Sequence, residues 1–263
     1  MAFADVNGEI LHYRVAGTAG GPRLVFSNSL GSDARIWDEV VGRLAGTFEI
    51  LLYDKRGHGL SSAPSGDYSI ADHSADLLAL LDRLGWNEVS LVGLSVGGLI
   101  AQDIAIRHSE RLVRLVLLDT ASKIGGPELW NGRIDAIRQG GLASISEGVI
   151  GRWFTDGFAR RRPADLSGWR HMLERTPADG YCGTCAAIRD ADLTGDLGSI
   201  AVPTLVAVGD ADLSTPPDLV RATAEPIPGG RFEVIEAAGH LPCIEQPDAV
   251  AALIRAHLSG VDA

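Results

Sequence analysis

Cysteine is scarce, with three residues in 263: Cys182, Cys185 and Cys243. Three thiols cannot form a disulfide framework. Cys182 and Cys185 have C-x-x-C spacing, but no second ligand pair lies close enough to complete a zinc site. Small residues packed on a helix are the simpler reading of that pair, and no metal is expected. Positive charge is also in deficit. Lys and Arg number 23 against 34 Asp and Glu, a net charge of −11. That balance argues against nucleic acid and against an anionic membrane surface as partners. An anionic small molecule would therefore need a local cation. No apolar run approaches the roughly 18 residues of a membrane span. The segment Met1-Ala2-Phe3-Ala4-Asp5-Val6 lacks the basic start and long apolar stretch of a secretory signal, so a cytoplasmic location is expected. Internal repeats and low-complexity tracts are missing too.

What is present suits one large α/β domain with a sizeable core. Hydrophobic residues make up 46% and charged residues 22%, an ordinary globular balance. Apolar runs predict strands at 9–15, 23–27, 49–54, 89–92, 113–118, 204–208 and 232–236. Helical spacing predicts helices near 37–45, 70–84 and 247–258. Strands alternating with helices imply a doubly wound, mostly parallel sheet. The alternation stops between about Thr120 and Ala201, where helical patterns, turns and the aromatics Trp130, Trp153, Trp169 and Tyr181 occur. We expect a helical cap at 121–201, inserted in a core formed by 1–120 and 202–263.

The run Val89-Ser90-Leu91-Val92 leads into Gly93-Leu94-Ser95-Val96-Gly97, and a small-residue apolar helix follows. A strand, a G-x-S-x-G turn and a helix together describe the nucleophile elbow of an α/β-hydrolase fold. The glycines let Ser95 occupy a tight, strained turn without collisions. A serine hydroxyl is a poor nucleophile at neutral pH and needs a base, held in place by an acid. In this fold the chain order is serine, acid, histidine. After the 204–208 strand two carboxylates compete. Asp212 lies out on the loop, within reach of an imidazole, while Asp210 sits nearer the strand end, where it could cap the turn. Among seven histidines, His240 follows a strand and comes after both acids. His58 is the serious rival, but it precedes Ser95. Oxyanion donors are expected from the backbone N–H groups of Val96 and Leu30, the latter in the loop Asn28-Ser29-Leu30-Gly31.

With these segments the chain resembles the 3-oxoadipate enol-lactonases of the α/β-hydrolase superfamily, along its whole length. The superfamily part is Asp54-Lys55-Arg56-Gly57-His58-Gly59-Leu60-Ser61, the elbow, and Ala238-Gly239-His240. More specific are Ser27-Asn28-Ser29-Leu30-Gly31, where many relatives carry His-Gly, and four cap segments: Ala121–Gly125, Trp130–Asp135, Arg152–Thr155 and Cys185–Asp192. The resemblance implies a catalytic triad of Ser95, Asp212 and His240. It also implies opening of an enol-lactone ring to 3-oxoadipate in bacterial degradation of aromatic compounds, without a cofactor. The lactone's free carboxylate calls for a cation. Arg133, beside Trp130 on a cap helix, is the leading candidate, with Arg189 and Lys123 behind it. Trp130 and Trp153 are candidate pocket walls. Leu213 and Ser214 stand where this family commonly has β-branched or small residues, and a chain ending at Ala263 leaves no room for the decarboxylase domain sometimes fused to such lactonases.

Triad chemistry alone leaves other readings open, because specificity lives in the pocket. A carboxylesterase, a cofactor-free perhydrolase or a carbon–carbon bond hydrolase would show the same motifs. A binding protein that kept the fold would not need the full Ser–Asp–His set. Dehalogenases and epoxide hydrolases carry a carboxylate where Ser95 stands.

Overall fold

The computed structural model describes residues 1–260. In chain order the elements are β1 (Ala2–Val6), β2 (Glu9–Gly17), β3 (Arg23–Ser27), α1 (Asp38–Leu44), β4 (Glu49–Tyr53), α2 (Ile70–Leu84), β5 (Val89–Leu94), α3 (Val96–Arg107) and β6 (Leu112–Leu118). Then come α4 (Pro127–Gly140), α5 (Ala143–Trp153), α6 (Asp156–Arg161), α7 (Pro163–Glu174), α8 (Ala178–Asp190), β7 (Thr204–Gly209), α9 (Pro217–Ala224), β8 (Arg231–Ile235), α10 (Pro242–Glu245) and α11 (Pro247–Ser259). The eight strands form one sheet in the order β1-β2-β4-β3-β5-β6-β7-β8. Strands β4, β3, β5, β6, β7 and β8 run parallel, while β1 and β2 pair antiparallel at one edge.

Burial explains the apolar character of the central strands. All six residues of β5 are buried, as expected for a parallel strand covered on both faces. Helix α3 is buried from Val96 through Ala105, so it is apolar all round rather than on one stripe. Helix α2 starts at a capping box in which Ser69 Oγ accepts from the Asp72 N–H and Asp72 accepts from the Ser69 N–H. It stops at Gly85, whose φ of 68° closes the helix in the left-handed region.

The predicted strands all form. Strand β1 does not figure in the sequence reading, although its turn Asn7-Gly8, with φ of 54° and 82°, is the dipeptide that favours a tight hairpin. Between β6 and β7 the chain forms five helices, α4 to α8, and no strand. Cys182 and Cys185 lie on α8 as free, buried thiols.

Candidate active site

Ser95 joins β5 to α3 with φ 58° and ψ −119°, outside the regions ordinary residues occupy. The turn is held from several sides. The Ser95 N–H donates to the Leu118 carbonyl at 3.0 Å, and its carbonyl accepts from Thr120 Oγ1 at 2.7 Å. Close packing dictates the flanking glycines. A Cβ on Gly93 would meet the Gly97 carbonyl oxygen at 2.3 Å, and one on Gly97 would meet the Ser27 carbonyl oxygen at 2.1 Å. The strained turn thus presents the hydroxyl of Ser95 at the carboxyl edge of the sheet, where ligands bind in open α/β folds.

Asp212 lies beyond β7 and His240 beyond β8, and the structure brings them together. His240 Nδ1–H donates to Asp212 Oδ2 at 2.8 Å. Asp212 also accepts from Thr215 Oγ1 at 2.7 Å and from the N–H groups of Ser214 at 2.7 Å and Thr215 at 3.1 Å. Burial works against its charge, but the His240 charge and these hydrogen bonds overcome that penalty and hold the carboxyl below its ordinary range. Asp210 has a different task, accepting the Ala238 N–H at 3.1 Å and so bracing the loop that carries His240. Glu245 clamps that loop to the end of α5. Its carboxylate takes the Gly239 N–H at 2.5 Å and the Thr155 hydroxyl at 2.7 Å.

With Nδ1 committed, His240 has Nε2 left for the cavity it shares with Ser95. This cavity of about 90 Å³ is walled by Ile124, Leu129, Trp130, Val149, Trp153, Tyr181 and Ile188, with Ser29, Leu30, Ser95, Ser214 and His240 on the sheet side. The Leu30 N–H has no acceptor among the described residues. The first turn of a helix leaves its N–H groups unpaired, and Val96 opens α3.

His58 is occupied elsewhere. Its Nε2 accepts the Gly31 N–H at 2.9 Å, and its Nδ1–H donates to the Arg56 carbonyl at 3.2 Å. Full burial, with Lys55 nearby, pushes its pKa well down, so it is a neutral buttress of the 28–31 loop.

The cations divide. Arg133 is half-buried, faces the cavity, and stacks its guanidinium 4.9 Å from the Trp130 ring centre, with no carboxylate partner among the described residues. Trp130 is itself fixed by its indole N–H on the Ile124 carbonyl at 2.6 Å. The structure places Arg189 away from this cavity. Its guanidinium is spent on Asp190 at 2.7 Å and Asp67 at 3.1 Å, and it takes no part in the cavity wall. Lys123 pairs with Asp192 at 2.8 Å. Both are paired with carboxylates away from the cavity, near the protein surface, where such pairs contribute little. Arg152 was missed as a candidate cation, yet it also lines the cavity. Its only signal in the sequence is adjacency to Trp153.

Asp119 was also missed. It follows β6 with φ 46°, fully buried, and atoms of Asp119, Asp212 and His240 lie within 4.8 Å of one another. Its Oδ1 accepts the Gly209 N–H at 2.9 Å. Burial and the adjacent Asp212 charge push its carboxyl well above the ordinary range, so the folded protein holds this proton to higher pH than an unfolded chain, which titrates at about pH 4. Folding then takes up a proton, and this contribution to stability is present below about pH 4 and is lost as pH rises toward the raised value. Asparagine offers a donor and an acceptor without titrating. Asp119→Asn is therefore expected to raise the Tm at pH 8, with the gain shrinking toward pH 4. Thermal melts across that range check it, and a pH-independent difference would contradict it.

Comparison with known proteins agrees with this architecture. The alpha/beta hydrolase family model matches residues 24–253. The 3-oxoadipate enol-lactonase 2 of Acinetobacter baylyi is 36% identical over 239 residues, covering 91% of this chain and 89% of its own. The crystal structure of an enol-lactonase from Burkholderia xenovorans LB400 superposes with a TM-score of 0.96 at 38% identity, covering 98% of this chain and all of that one. A thermophilic esterase from Thermogutta terrifontis, solved with malate bound, gives 0.92 at 30% identity over 100% of this chain and 99% of its own.

Proposed function

The chain belongs to the α/β-hydrolase family, and from that membership we propose that it is a serine hydrolase opening the lactone ring of 3-oxoadipate enol-lactone. The observation that carries the reading is the shared cavity. Ser95, on its strained turn, and His240, oriented by Asp212 at 2.8 Å, face one chamber whose wall includes Arg133, an arginine with no carboxylate partner among the described residues. The enol-lactonase relatives supply the substrate class.

The chemistry follows from these positions. Ser95 Oγ attacks the lactone carbonyl and passes its proton to His240 Nε2, while Asp212 stabilises the imidazolium. The N–H groups of Leu30 and Val96 hold the oxyanion of the tetrahedral adduct. Collapse breaks the ring C–O bond and expels an enolate, a better leaving group than an alkoxide. The enolate oxygen takes the proton held on His240, which returns the imidazole to its neutral form, and the enol tautomerises to the ketone. Water, deprotonated by His240, then cleaves the acyl-enzyme and frees Ser95. No step calls for a metal or a cofactor. The helices α4 to α8 act as a cap that screens the acyl-enzyme and carries the specificity residues.

Arg133 binds the free carboxylate, since a planar guanidinium matches it bidentately. Arg133→Ala is expected to raise KM for the anionic lactone about tenfold or more, one to two charge-assisted hydrogen bonds' worth, and to leave KM for p-nitrophenyl acetate nearly unchanged. Steady-state kinetics on both substrates make the comparison. Equal effects on the two would remove Arg133 from this role. The hydrolase reading itself is tested by labelling with a fluorophosphonate probe, which should modify Ser95 alone and abolish turnover of the enol-lactone. An unlabelled protein would instead be a binding protein on a hydrolase fold.

A further inference from the structure

Lys55 is a basic side chain with almost no exposure, 1%, and it makes no ion pair among the described residues. The nearest carboxylate in sequence, Asp54, is already committed to the N–H groups of Ala34 and Leu60 and to His12 Nδ1. Buried lysines are rare and are normally paired. Lys55 instead spends its ammonium on two carbonyls of one loop, donating to Ser29 O at 2.7 Å and to Asn28 O at 3.2 Å.

The contact with Ser29 O matters most. The carbonyl of Ser29 and the N–H of Leu30 belong to the same peptide unit, and no peptide bond in the described chain is cis. In a trans peptide the C=O and N–H point in opposite directions. Anchoring Ser29 O from behind therefore aims the Leu30 N–H the other way. Ser29 and Leu30 line the cavity with Ser95 and His240, whereas Lys55 does not. The rest of the loop is fastened to match. Ser32 Oγ donates to Ser29 O at 2.9 Å, Asn28 Nδ2 donates to Ser32 O, and the Gly31 N–H is taken by His58. The carbonyls of Asn28, Ser29 and Ser32 and the Gly31 N–H are thus all taken, whereas the Leu30 N–H has no acceptor among the described residues.

We propose that Lys55 is a positioning residue for the oxyanion hole, holding the Ser29–Leu30 peptide so that its N–H meets the charge developing on the substrate oxygen. A donor at the far end of the same amide also polarises it and makes that N–H a stronger donor. Burial lowers the ammonium's pKa to about 7 against the pull of Asp54 and Asp33, and either protonation state has the two N–H donors this geometry uses. The inference rests on the serine-hydrolase reading above.

The test compares wild-type and Lys55→Met, which keeps the stem and removes the donors, on p-nitrophenyl acetate and on the enol-lactone. Active-site titration normalises each rate to folded enzyme. With the oxyanion donor misaimed, kcat should fall about 10- to 100-fold with KM within about twofold. Affinity for a trifluoromethyl ketone, which forms a tetrahedral adduct, should fall in parallel, because the donor acts on the transition state and not on bound substrate. Should Lys55→Met not fold, Lys55→Gln decides the same question, since one shorter donor should give an intermediate kcat at unchanged KM. Wild-type kcat in the folded variant overturns the proposal, and so does a rise in KM at constant kcat. A wild-type protein that turns over neither ester would defeat the hydrolase reading instead, so the two failures are distinguishable.

Discussion

Replacing Ser95 by alanine is expected to lower kcat/KM for ester substrates by about 10⁴- to 10⁶-fold, the loss seen when the nucleophile of a serine triad is removed. The size follows from what the residue does. Covalent attack cannot be taken over by a neighbour, because no other described hydroxyl stands on the turn between β5 and α3. Folding should hardly respond. Ser95 is held through its backbone, by Leu118 O and Thr120 Oγ1, and its side chain makes no hydrogen bond to cap α3. Alanine also meets the same backbone strain as serine at φ 58°. Steady-state rates with a thermal melt on the same sample check both halves. Residual activity above a few per cent would mean that another group attacks the carbonyl.

The second large effect is structural. Gly97→Ala would place a Cβ 2.1 Å from Ser27 O, 2.6 Å from Ser27 C and 3.0 Å from Asn28 O. These are backbone atoms at the end of β3, so the clash cannot be relieved by turning a side chain. Alanine's better helix propensity returns only about 1 kcal/mol, while forcing atoms into a packed interior costs about 1 to 3 kcal/mol and sometimes more. The backbone that must yield leads directly into the Asn28–Gly31 loop, so Leu30 should move with it. We expect a Tm lowered by several degrees, at about 2–4 °C per kcal/mol for a chain of this size, and kcat down at least about tenfold because an oxyanion donor is displaced. Gly148→Ala is the control. Gly148 sits on α5 with nothing within 4 Å of its added Cβ, so the same substitution should leave activity intact and slightly raise the Tm. Equal behaviour of the two variants would show that the elbow is looser than its distances imply.

Much of this arrangement was legible in the chain because it depends on local backbone demands. A glycine needed for clearance, a strand that must be apolar on both faces and a capping box at Ser69 each leave their mark within a few residues. Chain order then singled out His240 over His58, and the hydrogen bonds of His58 to Gly31 and Arg56 give the physical reason: its ring is already used at both nitrogens. Loop position favours Asp212 over Asp210 in the sequence. Two residues of loop separate them, placing one carboxyl on the Ala238 N–H and the other on His240.

Cations were the least legible. Arg133, Arg152, Arg189 and Lys123 are equivalent as letters, and each lies in a segment of helices and turns. What separates them is whether a carboxylate lies within reach. Asp67, which helps neutralise Arg189, is 122 residues away in sequence, and no local pattern reports such a neighbour. Lys55 and Asp119 were overlooked for a related reason. Their burial, and the carbonyls or carboxylate they meet, arise only when β3, β4, β6 and β7 lie side by side.

The amino-acid sequence alone determined the doubly wound sheet, the position of the strained serine and the order in which its partners follow. Those properties are written in short-range sterics and in the period of apolar residues, which do not depend on distant contacts. Tertiary structure alone decided which cations are left without a carboxylate partner, that His58 buttresses a loop, and that Lys55 lies buried behind the Ser29–Leu30 peptide and Asp119 beside Asp212 and His240. Charge pairing, desolvation and hydrogen-bond direction are set by atoms brought together from far along the chain.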